Sequence, residues 1–398
     1  MTVATGVGLR FAAALSTLEN TDDAVARACD EAGEQLGARP DLAMVFFSPH
    51  HAAKAKTASE EIRRRLSPGC LLGCTAEAIV GGSREVEGDA AVSLWLAAMP
   101  GVTLHSLSLE FQRSPEGGAV SGWPDDLPAS SPPGSALLLL ADPFSFPADW
   151  LLERLSEDRP GVPVLGGMAS GAASPGGNRL LLNDRVLDSG AVGALLYGAV
   201  EVQPVVSQGC RPIGRHYVIT KAEQNVILEL SGKPPLAQLQ ELFDTLSARD
   251  QQLVQGGLHV GRVINEYQDR FQRGDFLVRN CIGADRDTGA LAIGDFVRAG
   301  QTVQFHLRDA QTADEDLREM VAGATGATGA LLFTCNGRGT RLFDQPDHDV
   351  SVLRELLGPI PVAGFFAQGE MGPIGGKNFL HGFTASCALF RPRSSSKP

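Results

Sequence analysis

Ala330-Leu331-Leu332-Phe333, Cys335-Asn336-Gly337, Asp349 to Leu357 and Pro361-Val362-Ala363-Gly364 follow one another near the C-terminus, and their order decides the fold. The first run is apolar, short and ended by a polar turn, which reads as a buried strand rather than a helix. Asp349 to Leu357 reads as a helix. Pro361 opens a second short strand that ends in glycine. Strand, turn, helix, strand is the unit from which α/β sheets are built.

The same order stands twice more upstream. Leu42 to Phe47 reads as a strand closed by Ser48-Pro49, Ala52 to Leu66 as a helix stopped by Pro68, and Leu71-Leu72-Gly73-Cys74 as the second strand. A hairpin rich in glycine and charge leads to a third strand, Ala90 to Ala98. Ahead of this unit, Asp22 to Leu36 has helical spacing at Val25, Ala28, Cys29, Ala32 and Leu36, with Thr21 as its expected cap. In the middle of the chain come Ala136 to Leu140, the turn Asp142-Pro143, a helix over Asp149 to Leu155, Pro163-Val164-Leu165-Gly166-Gly167 and a strand over Ala191 to Tyr197. Phe379 to Phe390 supplies the last strand of the C-terminal unit. Self-similarity of this kind guides architecture better than any single element. Asp275 to Leu307 reads as three strands of a fourth unit without its helix, ending in Thr302 to Leu307, and Asp314 to Ala324 as a helix. Gln112 to Gly134, dense in Pro, Gly and Ser, reads as a linker, Ser231-Gly232-Lys233-Pro234-Pro235 as a rigid turn, and Leu236 to Val254 as one amphipathic helix. The expected fold class is α/β: repeated strand–helix–strand units forming mixed β-sheets flanked by helices, in two domains.

Composition bounds the function. The 398 residues are 43% apolar, enough for a sizeable core. Lys plus Arg number 34 and Asp plus Glu 46, a formal charge of −12, so a phosphate backbone is repelled and nucleic acid is not an expected partner. The longest apolar runs fall far short of the ~20 residues that a bilayer needs, so no membrane span is expected. The first fifteen residues carry only Arg10 and lead into no clear cleavage site. Seven cysteines at irregular spacing fit free thiols in a reducing compartment, and a cytoplasmic location is expected.

Catalytic signatures fail one by one. There is no H-E-x-x-H, no pair of C-x-x-C knuckles and no G-x-S-x-G elbow. Gly375-Gly376-Lys377-Asn378 resembles the end of a phosphate loop, but Met371 stands where its first glycine belongs and Asn378 replaces Ser or Thr. No catalytic or metal-ligating residue is assigned and no enzyme is expected. What remains are glycine turns at strand ends: Leu72 to Glu77, Leu165 to Ser170, Phe333 to Gly339 and Gly364 to Glu370. Such turns let backbone N–H groups approach a ligand, and equally they let helices pack on a sheet. Cys335 and Arg338 share one turn, where the cation lowers a thiol pKa; alternatively Cys335 packs inward and Arg338 meets a surface acid. Glu370, after Phe365 and Phe366, could bind a ligand amine or pair with Arg338. If the two strands joined by the last helix are parallel, both turns lie at the carboxyl edge of one sheet, where open α/β sheets bind ligands. Cys335, Asn336, Arg338, Gly339, Phe366, Gln368 and Glu370 are therefore the expected ligand-binding residues, with Arg338 and Glu370 at the rim holding a zwitterion. His50-His51, His348 and His381 are scattered along the chain.

These residues carry a resemblance. Cys335 to Gly339, Pro361 to Pro373 and His381-Gly382-Phe383-Thr384 resemble the FIST C-domain. Leu72 to Glu77, Asp142-Pro143 and Ser207-Gln208-Gly209-Cys210-Arg211-Pro212-Ile213-Gly214 resemble the FIST N-domain. The resemblance runs from about Asp41 to Phe390 and places the N-domain at 20–235, with two internal repeats and a linker near 112–134, and the C-domain at 236–392. It implies a stand-alone sensory, signal-transduction protein that binds a small molecule such as an amino acid, without a cofactor. Two alternatives stay open: a protein-interaction scaffold, as in relatives fused to an F-box, and a haem-based nitric-oxide sensor. With no room for an output domain in this chain, a separate protein partner is expected to carry the signal.

Overall fold

The computed structural model describes residues 8–114, 117–268 and 270–393. The start of the N-terminal stretch (1–7) and residues 115–116 within the expected linker lie outside the described residues. The chain forms two compact units. One holds Met1–Val206, Arg318–Leu380 and Thr384–Pro398; the other holds Ser207–Leu317 and His381–Phe383. Both are rich in strand, and with the helices of the first the chain is an α/β protein with mixed sheets.

The first unit is built from three sheets. In the first, Leu42–Phe47 and Cys70–Thr75 run parallel, as the helical crossover between them requires, and Val92–Ala98 pairs antiparallel with Leu42–Phe47. The complete order is Arg10–Ser16, Val92–Ala98, Leu42–Phe47, Cys70–Thr75, Leu180–Leu182, Arg185–Leu187. The second sheet runs Gly117–Ser121, Val102–Ser114, Ala191–Gly198, Ala136–Ala141, Val164–Met168, Glu370–Ile374, Lys377–His381. The third runs Val200–Ser207, Ala385–Pro392, Gly329–Cys335, Val362–Ala367, Ala78–Gly81, Arg84–Glu87. Each sheet therefore has the same centre: two parallel strands with an antiparallel third. Each also receives its outer hairpin from elsewhere in the chain: 78–87 joins the third sheet, 180–187 the first and 370–381 the second.

Close approach explains the glycine in each second parallel strand. Gly73 lies opposite Val45, Gly166 opposite Leu139 and Gly364 opposite Leu332. A Cβ there would stand 2.3, 1.8 and 1.8 Å from the carbonyl oxygen of the facing residue, a distance that only glycine permits.

The strands are apolar without interruption because both their faces are covered. Leu42, Met44 and Phe46 join Leu138, Leu140, Leu331, Phe333 and Phe365 in one core fed by all three sheets. The alternate residues Ala43, Val45 and Phe47 pack under the helices Thr21–Leu36 and Ala55–Leu66. On the second sheet, Leu137 and Leu139 pack under Ala148–Asp158.

Several expectations are corrected. Asn20, not Thr21, caps the first helix, accepting from the backbone of Asp22 and Asp23. The helix after Leu42–Phe47 opens with a 3-10 turn, Pro49–Lys54. The linker from Gln112 begins as a strand, since Val102–Ser114 folds back on Gly117–Ser121. Phe379 to Phe390 is two strands, Lys377–His381 and Ala385–Pro392. Leu236 to Val254 is two helices, Pro235–Phe243 and Ala248–Gly256; Ser247 breaks the run by capping the second through the Asp250 N–H.

The fourth α/β unit does not exist. In the second compact unit Phe276–Ala284, Leu291–Ile293 and Thr302–Arg308 join Cys210–Glu223, Val226–Leu230 and His259–Val263 in a closed six-stranded barrel. Its interior holds Ile219, Ile227, Leu230, Val260, Ile293 and Phe305. Among the described residues no helix is long and apolar enough to cross a membrane.

Candidate functional site

Gly329–Cys335 and Val362–Ala367 are parallel, Ala330 facing Val362. The turns after them share the carboxyl edge of the third sheet. Asn336 N–H donates to Ala367 O at 3.0 Å, tying one turn to the other, and Arg338 N–H donates to Cys335 O at 2.8 Å. The chain then makes the 3-10 turn Gly339–Arg341 and enters the helix His348–Leu357.

That helix determines what Arg338 does. Arg338 and Asp349 are both 0% exposed. The guanidinium donates from Nε to Asp349 Oδ2 and from Nη2 to Oδ1, each at 2.7 Å. Thr334 Oγ1 donates to Asp349 Oδ2 at 2.5 Å, and His348 Nδ1 lies 2.9 Å from Oδ1. His348 stacks on Phe343 with ring centres 3.4 Å apart, and the Arg338 guanidinium lies 5.2 Å from the centre of the Phe343 ring. Burial by itself would raise the Asp349 carboxyl, but the Arg338 charge and the hydrogen bonds of Arg338 and His348 overcome it and hold it well below the usual carboxylate range. The neighbouring Glu85 accepts from Val350 N–H at 2.8 Å. Burial, and then the Asp349 charge, push the Glu85 carboxyl up to about 8.

Of the seven residues expected to bind a ligand, five are buried: Cys335, Arg338, Gly339, Phe366 and Glu370. Arg338 and Glu370 neither form a rim nor pair with each other. Glu370 Oε2 instead accepts from Thr384 N–H at 3.1 Å and Thr384 Oγ1 at 2.7 Å. The acid that takes Arg338 stands at the start of the next helix, where the chain returns over the sheet edge. Gly339 has φ +58°, and a Cβ there would press on Phe366 and Glu87. Asn336 is half-buried and Gln368 exposed, so these two stay at the surface.

The exposed charges at this edge are others. Arg341 Nη2 pairs with Glu77 Oε1, and Arg341 Nη1 donates to Asn336 O at 2.7 Å. The two side chains are 56% and 38% exposed. Glu87 accepts from Thr340 N–H at 2.9 Å and Thr340 Oγ1 at 2.8 Å. Glu77 follows Cys70–Thr75, so the pair joins turns from two sheets. The third sheet's turn is locked to the middle one as well: Met168 N–H donates to Gly369 O at 2.9 Å and Gln368 N–H to Met168 O at 3.1 Å. Glu77 N–H donates to Ser170 Oγ at 2.9 Å, and Ser170 Oγ donates to Phe366 O. Four strand-end turns, from three sheets, thus form one hydrogen-bonded platform with an exposed cation and carboxylate on it. Glu77 stands in a glycine turn singled out from the sequence; nothing in the sequence marks Arg341. Among the described residues no cluster of His, Cys, Asp or Glu is placed to hold a metal ion, and the seven cysteines are free thiols.

The FIST N domain model matches residues 41–233 and the FIST C domain model residues 235–373. An uncharacterized protein of Mycobacterium tuberculosis is 45% identical over 389 residues, covering 96% of this chain and 100% of its own length. An uncharacterized protein of Mycobacterium bovis is 44% identical over 388 residues, covering 96% of this chain and 99% of its own. The matched segments meet between residues 233 and 235, whereas the compact units divide at Val206 and Leu317, so the family boundary falls inside the barrel unit. By the two matched domains and the length of these relatives, the chain belongs to the FIST family.

Proposed function

We propose that the chain is a sensory protein that binds a small zwitterion, an amino acid or a close analogue, on the strand-end platform. FIST domains are associated with sensory signal transduction. The observation that carries the reading is the exposed Arg341–Glu77 pair on a backbone held by hydrogen bonds among four turns. An exposed pair contributes only about 0–1 kcal/mol, so a ligand opens it at little cost. The ligand carboxylate then takes the planar Arg341 fork and its ammonium takes Glu77, with Asn336 and Gln368 beside them. The rigid base, Arg338–Asp349 and Glu370–Thr384, keeps the turns in place. Binding without chemistry fits the buried Arg338, Asp349 and Glu370, whose side chains are engaged within the fold. The protein acts in the cytoplasm, where its thiols stay reduced, and hands its signal to a protein partner.

A thermal-shift panel of the twenty common amino acids tests this. At ~100 times its dissociation constant a ligand adds ~2.7 kcal/mol to the unit that binds it. At least one amino acid should raise the melting temperature of the wild type and leave Arg341→Ala and Glu77→Gln unshifted. No shift with any of them, together with a protein retained from the native host's lysate, would favour the scaffold reading instead; a Soret band in the purified protein would favour the haem sensor.

A further inference from the structure

Chain order exposes a difference among the three sheets. A helix precedes the first parallel strand in two of them: Thr21–Leu36 comes before Leu42–Phe47, and Ala310–Ala322 before Gly329–Cys335. In the second sheet residues 122–135, which precede Ala136–Ala141, contain no helix. Trp123 and Leu127 from this segment pack on the outer face of the sheet beside Ala148–Asp158. They leave a cleft of about 800 Å³ between segment and helix, lined by Trp123, Leu127, Trp150, Leu155, Arg154, Asp158 and Arg159.

The volume lies within the about 300–1,000 Å³ that small-molecule sites span. Two half-buried indoles from different elements offer flat apolar faces. Arg154 is paired with Glu157 and Asp158. Arg159 is held by neutral groups only, donating from Nη1 to Ser131 Oγ at 3.2 Å and from Nη2 to Pro128 O at 3.1 Å. Among the described residues no carboxylate pairs with it, so a fixed, half-buried cation stands in the wall of an indole-lined cleft. We propose that this cleft is a second binding site, separate from the strand-end platform, for a planar aromatic anion whose charge is met by Arg159.

Two dyes of one shape test the claim on the full chain: 8-anilinonaphthalene-1-sulfonate, an anion, and its neutral counterpart N-phenyl-1-naphthylamine. The anion should bind saturably, one per chain, and quench tryptophan emission by energy transfer that Trp123→Phe and Trp150→Phe reduce. Arg159→Gln should weaken the anion about tenfold and leave the neutral dye unchanged, the expected loss of one charge-assisted contact. Ala129→Asp, an exposed cleft position, should do the same by repulsion without touching Arg159. The proposal is overturned by non-saturable binding, by equal weakening of both dyes, or by an anion affinity that neither Arg159→Gln nor Ala129→Asp alters.

Discussion

Replacing Arg338 with Met leaves Asp349 at 0% exposure without the guanidinium that neutralises it. Two charge-assisted hydrogen bonds of 2.7 Å disappear, each of a kind that contributes about 1.5–3 kcal/mol. Thr334 and His348 still face the carboxylate, and the methionine side chain refills part of the space. Breaking one side of a buried pair costs about 3–5 kcal/mol, and that is the expected loss for the first compact unit. The loss should also depend on pH in a definite direction. Without Arg338, burial, the largest influence on Asp349, raises its carboxyl above the unfolded value of about 3.9. A raised folded pKa means stability that is present below the unfolded value and is lost as pH rises towards the folded one. The gap between Arg338→Met and wild type should therefore be smaller at pH 5 than at pH 8. Replacing both partners, Arg338→Met with Asp349→Leu, should restore most of the stability, because no buried charge is left alone. Urea unfolding followed by the emission of Trp95, buried in the shared core, is the assay. A loss below about 1 kcal/mol, or a gap of equal size at both pH values, would mean that Arg338 does not neutralise a buried charge.

Glu85 is held protonated to about 8, so wild-type stability from this group falls as pH rises from the usual carboxyl range to about 8. Glu85→Gln should flatten that slope and be the more stable protein at pH 8.5; urea midpoints at pH 5 and 8.5 with unchanged slope would sink this. Gly364→Ala drives a Cβ to 1.8 Å from Leu332 O, a backbone atom that cannot swing away, and should destabilise by about 2–3 kcal/mol or more; a melting temperature equal to wild type contradicts the close approach. Burial raises the Cys29 and Cys70 thiols to about 12, and Cys74 and Cys387 are raised as well. These four should stay unlabelled by a maleimide in the native protein and react on unfolding, as mass spectrometry of the digested chain would record.

Some of this was legible from residues alone. Leu42–Phe47, Ala136–Ala141 and Gly329–Cys335 are buried on both faces, so they read as unbroken apolar runs ended by turns. The barrel escaped because burial along its longest strand, Cys210–Glu223, is irregular and the strand slips register against both neighbours, which blurs the period-two signal. The exchange of hairpins among the three sheets left no trace either: Gly166 pairing with Met371 joins residues too far apart for any local pattern to report. At the site, the cation and carboxylate expected at the rim, Arg338 and Glu370, are buried, and the exposed pair stands on other residues. The turn that carries Arg338 is followed closely by a helix whose first turn brings Asp349 back to it, so the guanidinium is used inside the fold. The exposed cation is three residues on, at Arg341, and its partner Glu77 comes from a different sheet.

A zwitterion that bridges Arg341 and Glu77 must present both of its charges, a free carboxylate and a free ammonium. Isothermal titration calorimetry of the best amino acid from the panel tests it directly, set beside the N-acetylated and the amidated forms of that same compound. The amino acid should bind at one site per chain. Either blocked form should lose binding, and Arg341→Ala and Glu77→Gln should each weaken the parent by about tenfold or more. Equal affinity for the free and the blocked forms, or binding that both substitutions leave intact, would contradict it.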